Sequence, residues 1–450
     1  MEEYSHTAVM KETFDIAWPS VVESVLVALA GLVDTYMVSG LGKVAVAAIG
    51  VTNQPKTFVF TVFFALNVAI SALVARRLGE NRREDANGLF YTGLILALVL
   101  CAVLSILCIV FAYPFMKLCG ANPETIDLSV MYFRIIMGGS AFNLIFLYFN
   151  AALRGLGNTQ IAMRTNIIAN AVNVVMNYLL IQGHFGFPAL GVKGAAIATV
   201  LGTVVAFFMS FRAMVRKDGF IQLQYIFHER IRPSFAYIKE IMNVGSSIFG
   251  ENILTRIGMI YTSALTARIG TAPYSAHLVG MNFMNLGFAF GDGLQAASVS
   301  LVGRSLGEKQ PDKAKAYAWN EQIFGLVISI ICSAVLLLSG RWIYEKHFPG
   351  EPQMLAYGSL IISYIAVIMP IQISKIVFGG TLRGAGDVKF TLIASTIGVT
   401  VVQPLIQGFF YYQGLLTLNV VWASILLSQS IQLILFAVRF FSGKWLVHKI

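Results

Sequence analysis

About a dozen apolar runs, each near the 20 residues that cross some 30 Å of hydrocarbon as helix, leave this chain little freedom to fold in water. They lie at residues 14–38, 47–75, 89–113, 128–152, 161–182, 192–214, 243–267, 272–302, 316–340, 355–381, 390–412 and 418–441. No gap between them is long enough for a soluble domain. Inside a bilayer each backbone polar group must find its partner within the segment, so the expected fold class is an all-α membrane protein. Hydrophobic residues are 57% of the chain and charged residues 12%, against about 45–50% and 25% in soluble domains. The start, Met1-Glu2-Glu3-Tyr4, lacks the basic segment and cleavage site of a signal peptide, so the first run is expected to remain as a span.

The net charge of +10 sits in short loops, where anionic lipid is the expected counterpart and nucleic acid is not. Loops on the side of the N-terminus carry about 22 of the 32 Lys and Arg, against about 6 on the other side. Both termini are therefore expected in the cytoplasm, with the chain multi-pass in the cell's inner membrane. Cys101, Cys108, Cys119 and Cys332 form neither a disulfide framework nor a zinc spacing, and no cofactor is expected.

The chain also repeats itself. Leu153-Arg154-Gly155-Leu156-Gly157 returns as Leu382-Arg383-Gly384-Ala385-Gly386, Leu78-Gly79-Glu80 as Leu306-Gly307-Glu308, and Leu41-Gly42 as Ile269-Gly270. The offset is about 228–229 residues each time, which marks a duplication with six spans per half. The expected organisation is an N-lobe (1–215), a cytoplasmic connection (216–239) read as a polar tether, and a C-lobe (240–450). An even number of spans makes the repeats parallel, with a pathway between them. The two Leu-Arg-Gly loops are expected to cap helices, their arginines binding terminal carbonyls or lipid phosphates.

Within the spans the acids Glu23, Asp34, Glu251 and Asp292 stand out, beside the bases Lys56, Arg134, Arg256 and Lys375. Each costs about 2.5–3.5 kcal/mol at the bilayer centre, more than ordinary polar packing returns. Glu23 and Asp34 are eleven residues apart and share a face of the first helix. By the repeat, Glu23 is equivalent to Glu251, and the two are expected to line a central cavity, whereas Asp34 maps to Thr262. Asn166, Asn170, Asn173 and Asn177 form one stripe on the fifth span, suited to binding a cation or to joining helices. The run Gly287 to Gly293 has the small-residue spacing of close helix contact and also holds Asp292. Enzyme motifs fare badly: there is no phosphate-binding Gly-Lys-Ser/Thr loop, and Gly303-Arg304-Ser305-Leu306-Gly307 ends a span, where no nucleophile elbow forms.

The segment Asp34-Thr35-Tyr36-Met37-Val38 before Gly40-Leu41-Gly42, the two Leu-Arg-Gly-x-Gly loops, and Gly191-Val192-Lys193-Gly194-Ala195-Ala196 with Ala198-Thr199 together resemble the multidrug and toxic compound extrusion (MATE) family. The resemblance covers nearly the whole chain. It implies a monomeric antiporter of two six-helix lobes, exporting amphipathic, often cationic, small molecules while protons or sodium ions enter. It places ion coupling at Asp34, Asn173, Asn177 and Thr199, and leaves Glu23, Glu251, Asp292 and Gln372 as cavity or substrate candidates. Asn177 stands where many relatives carry an acid, and Gln372 where some do. With a single carboxylate the balance tips toward protons, although sodium stays open. A flippase for a lipid-linked precursor and, further off, an intramembrane enzyme are the alternatives.

Overall fold

A computed structural model describes residues 6–216 and 219–447, and among them there is helix and connecting loop but no strand. In order, the helices are α1 (His6–Ser39), α2 (Lys43–Gly79), α3 (Arg83–Val110), α4 (Ala112–Leu118), α5 (Ile126–Gly138), α6 (Ser140–Gly155), α7 (Thr159–Gln182) and α8 (Val192–Val215). They continue with α9 (Leu223–His228), α10 (Phe235–Ile269), α11 (Thr271–Gly307), α12 (Pro311–His347), α13 (Pro352–Gly384), α14 (Val388–Ser395), α15 (Gln403–Tyr412) and α16 (Leu418–Phe441). Each apolar run falls on a helix or on a joined pair. The run at 128–152 is the pair α5 and α6, bent by 48°. A Cβ on Gly139 at that bend would come within 2.5 Å of Val200 on α8, so the bend lets two backbones approach. The run at 390–412 is α14 and α15 joined by a π-helical turn, Thr396–Val402.

Counting α14 and α15 with the turn between them as one, eight of these helices, nine with the bent pair, are long and apolar enough to cross a membrane. The protein is a multi-pass membrane protein. The long helices that miss the mark, α7, α10 and α11, carry the asparagine stripe, Glu251 with Arg256, and Asp292 respectively. Polarity is concentrated on the helices that build the sites below. Several helices outrun the bilayer: α12 has 37 residues, about 55 Å at 1.5 Å per residue, so its charged start at Asp312, Lys313 and Lys315 reaches beyond the hydrocarbon.

Packing groups the chain into an N-unit, Val22–Gly245, and a C-unit, Met1–Val21 with Ser246–Ile450. The divisions fall inside α1 and α10, so each of those helices is shared by both units. The N-unit core gathers Val38, Phe133, Met137, Ile181 and Ala196. The C-unit core centres on Ile361, Ile365, Ile373 and Trp422. There the glycines of α11 do what their spacing foretold: Gly287 and Gly291 lie against Met369 and Ile376 of α13, and Gly293 against the backbone of Val21.

The connection between the repeats differs from the polar tether expected. Ile221 and Ile226 are buried. Arg83 donates to the carbonyls of Phe220 and Gly219, both at 3.2 Å, and Asn87 donates to Phe220 O at 2.9 Å while accepting from Gln222 N at 2.9 Å. Further on, Ser234 N donates to Thr92 and Tyr237 Oη to Asp85, the latter at 2.8 Å. Burial and that bond to Asp85 push the Tyr237 hydroxyl up to about 12. Two isoleucines and the polar start of α3 thus clamp the segment to the N-unit; composition alone missed this because the partners are more than 130 residues away.

Candidate functional site

Two helices build the polar centre of the N-unit. Glu23 and Asp34, eleven residues apart on α1, meet Asn166 and Asn177, eleven residues apart on α7. Eleven residues are close to three turns, so both pairs fall on the facing sides of helices running in parallel register. Asn177 Nδ2 donates to Asp34 Oδ1 at 2.7 Å. The Asn173 amide satisfies its neighbours with its nitrogen donating to Asp34 Oδ1 at 2.7 Å and its oxygen accepting from Thr199 N at 3.2 Å. The structure therefore brings Asp34, Asn173, Asn177 and Thr199 into one cluster. Asn177 Oδ1 is buried and has no hydrogen-bond partner among the described residues.

Two further side chains join this cluster. Tyr132 on α5 lies beside Thr199 and within the field of Asp34. Lys56 on α2 lies within electrostatic range of the same carboxylate. The single carboxylate expected at this site therefore has a basic neighbour. A cavity of about 310 Å³, lined by Tyr36, Ser39, Gly40, Asn177, Tyr178 and Gln182, reaches Asn177 from the far end of α1 and α7. At the equivalent place in the C-unit stands a neutral pair, Gln403 Nε2 donating to Thr262 at 2.7 Å. The carboxylate site has no counterpart in the other repeat.

The second acid of each repeat is tied down in the same way. In the N-unit, Glu23 Oε1 accepts from Arg154 Nη1 at 2.8 Å and from Asn166 Nδ2 at 2.5 Å. In the C-unit, Glu251 accepts from Arg383 Nη2 at 2.7 Å, Ser395 at 2.6 Å and Thr391 at 3.1 Å, while Arg383 Nη1 also bonds Gln295. Glu23 is 6% and Glu251 5% exposed. Both arginines were expected to cap helices or meet lipid. Instead α6 and α13 continue through them, so each guanidinium sits on a last helical turn and points at a buried carboxylate. The duplication is thus conserved down to an ion pair. These two acids hold helices together inside their own units, and any contact with substrate would require the pairs to open.

The remaining candidates separate. Asp292 stays exposed on α11, within the field of Arg383. Gln372 is 0% exposed, its Nε2 donating to Met284 O at 3.2 Å, so it stitches α13 to α11 and faces no cavity. Ser305 spends its hydroxyl on Leu301 O. Among the described residues no cluster of three or more His, Cys, Asp or Glu could hold a metal ion. One acid escaped the sequence reading entirely: Glu321, inside the run at 316–340 and 0% exposed. Its position five residues past the estimated start of that run was the available signal.

A model of the MatE family matches residues 19–179 and 247–409, one match in each repeat. The chain is 26% identical over 443 residues to a probable multidrug resistance protein NorM of Thermotoga maritima, covering 97% of this chain and 93% of the relative. It is 25% identical over 391 residues to the multidrug resistance protein PmpM of Pseudomonas aeruginosa, covering 86% and 80%. The crystal structure of a MATE protein in its straight conformation superposes with a TM-score of 0.87 at 23% identity over 97% of both chains.

Proposed function

Because the chain belongs to the MatE family of multidrug efflux transporters, we propose that it exports amphipathic, cationic small molecules in exchange for an inward-moving ion, and that Asp34, Asn173, Asn177 and Thr199 are where that ion is handled. The observation that carries this reading is the carboxylate of Asp34, held by two amides and absent from the other repeat. One unit is built to change charge and the other to stay neutral at the equivalent place.

The geometry favours protons as that ion. A hard cation such as sodium wants a shell of oxygens, but the amides of Asn173 and Asn177 turn their nitrogens toward Asp34, and Lys56 adds a repelling charge. A proton needs only one carboxylate oxygen. The cavity reaching Asn177 supplies the route from outside. Among the cavity candidates, Asp292 is the acid placed to meet a cationic substrate, since Glu23, Glu251 and Gln372 are committed to packing. In this reading the chain lies in the inner membrane as a monomer with both termini cytoplasmic, and its two repeats alternate access. Purified protein in proteoliposomes, loaded with a fluorescent organic cation, tests it: a proton gradient alone should drive export, and a sodium gradient alone should not. Export that follows sodium and ignores protons would overturn the choice of ion.

A further inference from the structure

The N-unit site leaves unexplained a second buried acid on the other side of the duplication. Lys313, Tyr317, Glu321 and Gly325 recur every fourth residue and so share one face of α12. Gly325 shows where that face points: a Cβ there would stand 3.1 Å from Ile373, 3.3 Å from Leu294 and 3.4 Å from Val377, on α13 and α11. Glu321, one turn earlier, is turned into the same packed interior. Neither of its carboxyl oxygens has a hydrogen-bond partner among the described residues. Helices α11 and α12 are joined by only three residues and run antiparallel, so the step from Gly325 back to Glu321 leads from Leu294 on to Ser298. Ser298 is 0% exposed as well, and its hydroxyl is likewise unpartnered.

Among the described residues no counter-charge faces this carboxyl. On α1, Glu12 is bonded to Tyr317 and Arg304, while Lys11 and Asp15 are exposed. On α11, Arg304 pairs with Glu12 and Glu308, and Asp292 lies within the field of Arg383. On α13, Lys375 donates to Gln432 and Arg383 to Glu251 and Gln295. Lys313 pairs with Glu308, and Arg439 of α16 with Asp387. A bare carboxylate in such a place would be an uncompensated buried charge, which protein interiors do not sustain. The group must hold a cation, and the smallest needs no further ligand.

The same face meets water at its start. Tyr317 donates its hydroxyl to Glu12, and Glu12 with its partner Arg304 is 36% and 38% exposed. Tyr317 therefore ties the face that carries Glu321, one turn away, to a carboxylate in contact with water. We propose that Glu321 is a proton-binding site of the C-unit, loaded from the water-facing start of α12 by way of Glu12 and Tyr317. The step balances simply: Tyr317 passes its hydroxyl proton inward, Glu321 gains an O–H bond, and Tyr317 regains a proton from the Glu12 side. This site is independent of the ion assigned to Asp34.

The full-length protein in lipid nanodiscs tests it by infrared spectroscopy at neutral pH, with and without sodium. A carbonyl band of a protonated carboxyl should be present in wild type, vanish in Glu321→Gln and move in Glu321→Asp, which serves if the glutamine variant does not fold. Asp34→Asn should keep the band, separating this site from the one in the N-unit. On transfer to heavy water, Tyr317→Phe should slow exchange of the band at least tenfold. Absence of any band that responds to residue 321 would overturn the proposal, as would a band that sodium abolishes, since that marks a metal cation. Exchange at the wild-type rate in Tyr317→Phe would overturn the route.

Discussion

Removing Arg383 tests how much of the C-unit rests on its buried ion pair. The guanidinium lies 2.7 Å from Glu251, and the two side chains are 13% and 6% exposed. In Arg383→Met, Glu251 keeps the hydroxyls of Ser395 and Thr391 but loses its ion-pair partner, with Lys375 left as a more distant positive charge. Breaking a buried pair from one side costs about 3–5 kcal/mol, since it strands a charge in low dielectric. For a unit of this size about 2–4 °C of melting temperature follows each kcal/mol, so the variant should melt about 6–20 °C below wild type. Removing both charges, in Glu251→Gln with Arg383→Met, should recover most of that loss, because neither member of the pair is then left buried without the other. The assay is thermal unfolding of the purified protein at a fixed heating rate, the single and double variants ranked side by side. Arg383→Met melting within about 1 °C of wild type, or a double variant no better than the single, would refute the claim that this arginine neutralises a buried acid.

Other parts of the fold make comparable commitments. A Cβ on Gly258 would lie 2.3 Å from Val399 O in the π-helical turn, so Gly258→Ala should destabilise the C-unit by about 1–3 kcal/mol, read from the same melts. Arg83→Ala combined with Asn87→Ala removes the bonds that hold Gly219, Phe220 and Gln222, and limited proteolysis should then cut between 219 and 234 much faster than in wild type. Lys56→Met takes away the positive charge near Asp34 and should increase export driven by sodium alone; unchanged ion preference would show that Lys56 has no part in the site.

What the chain disclosed before any coordinates follows from the solvent it lives in. The bilayer forces every span to be a continuous apolar helix, so the runs were readable one by one, and the duplication made Glu23 and Glu251 equivalent in advance. The structure bears out that equivalence as the same arginine-to-glutamate pair in both units. The partners themselves were not readable, because Arg154 lies 131 residues from Glu23 and the Leu-Arg-Gly pattern reads as a loop when it is the last turn of a helix. That Lys56 lies beside Asp34 was not readable either, because the two sit on different helices and the pattern of one span does not show which side chains of another it meets. Glu321 was passed over because the estimated span began at 316, whereas the helix begins at Pro311 and puts that acid almost three turns inside. The π-helical turn at 396–402 left no mark in the residue pattern at all.

The central claim is that Asp34 carries the ion whose movement drives export. It is tested most directly by comparing Asp34→Asn with wild type in proteoliposomes, under a proton gradient alone and under a sodium gradient alone, while binding of the same organic cation is measured on the purified protein. Asparagine keeps the shape of the side chain and can still bond Asn173 and Asn177, so the fold should persist and substrate should still bind. Gradient-driven export should fall to the level of empty liposomes under both conditions. Export by Asp34→Asn at the wild-type rate under either gradient would contradict the account.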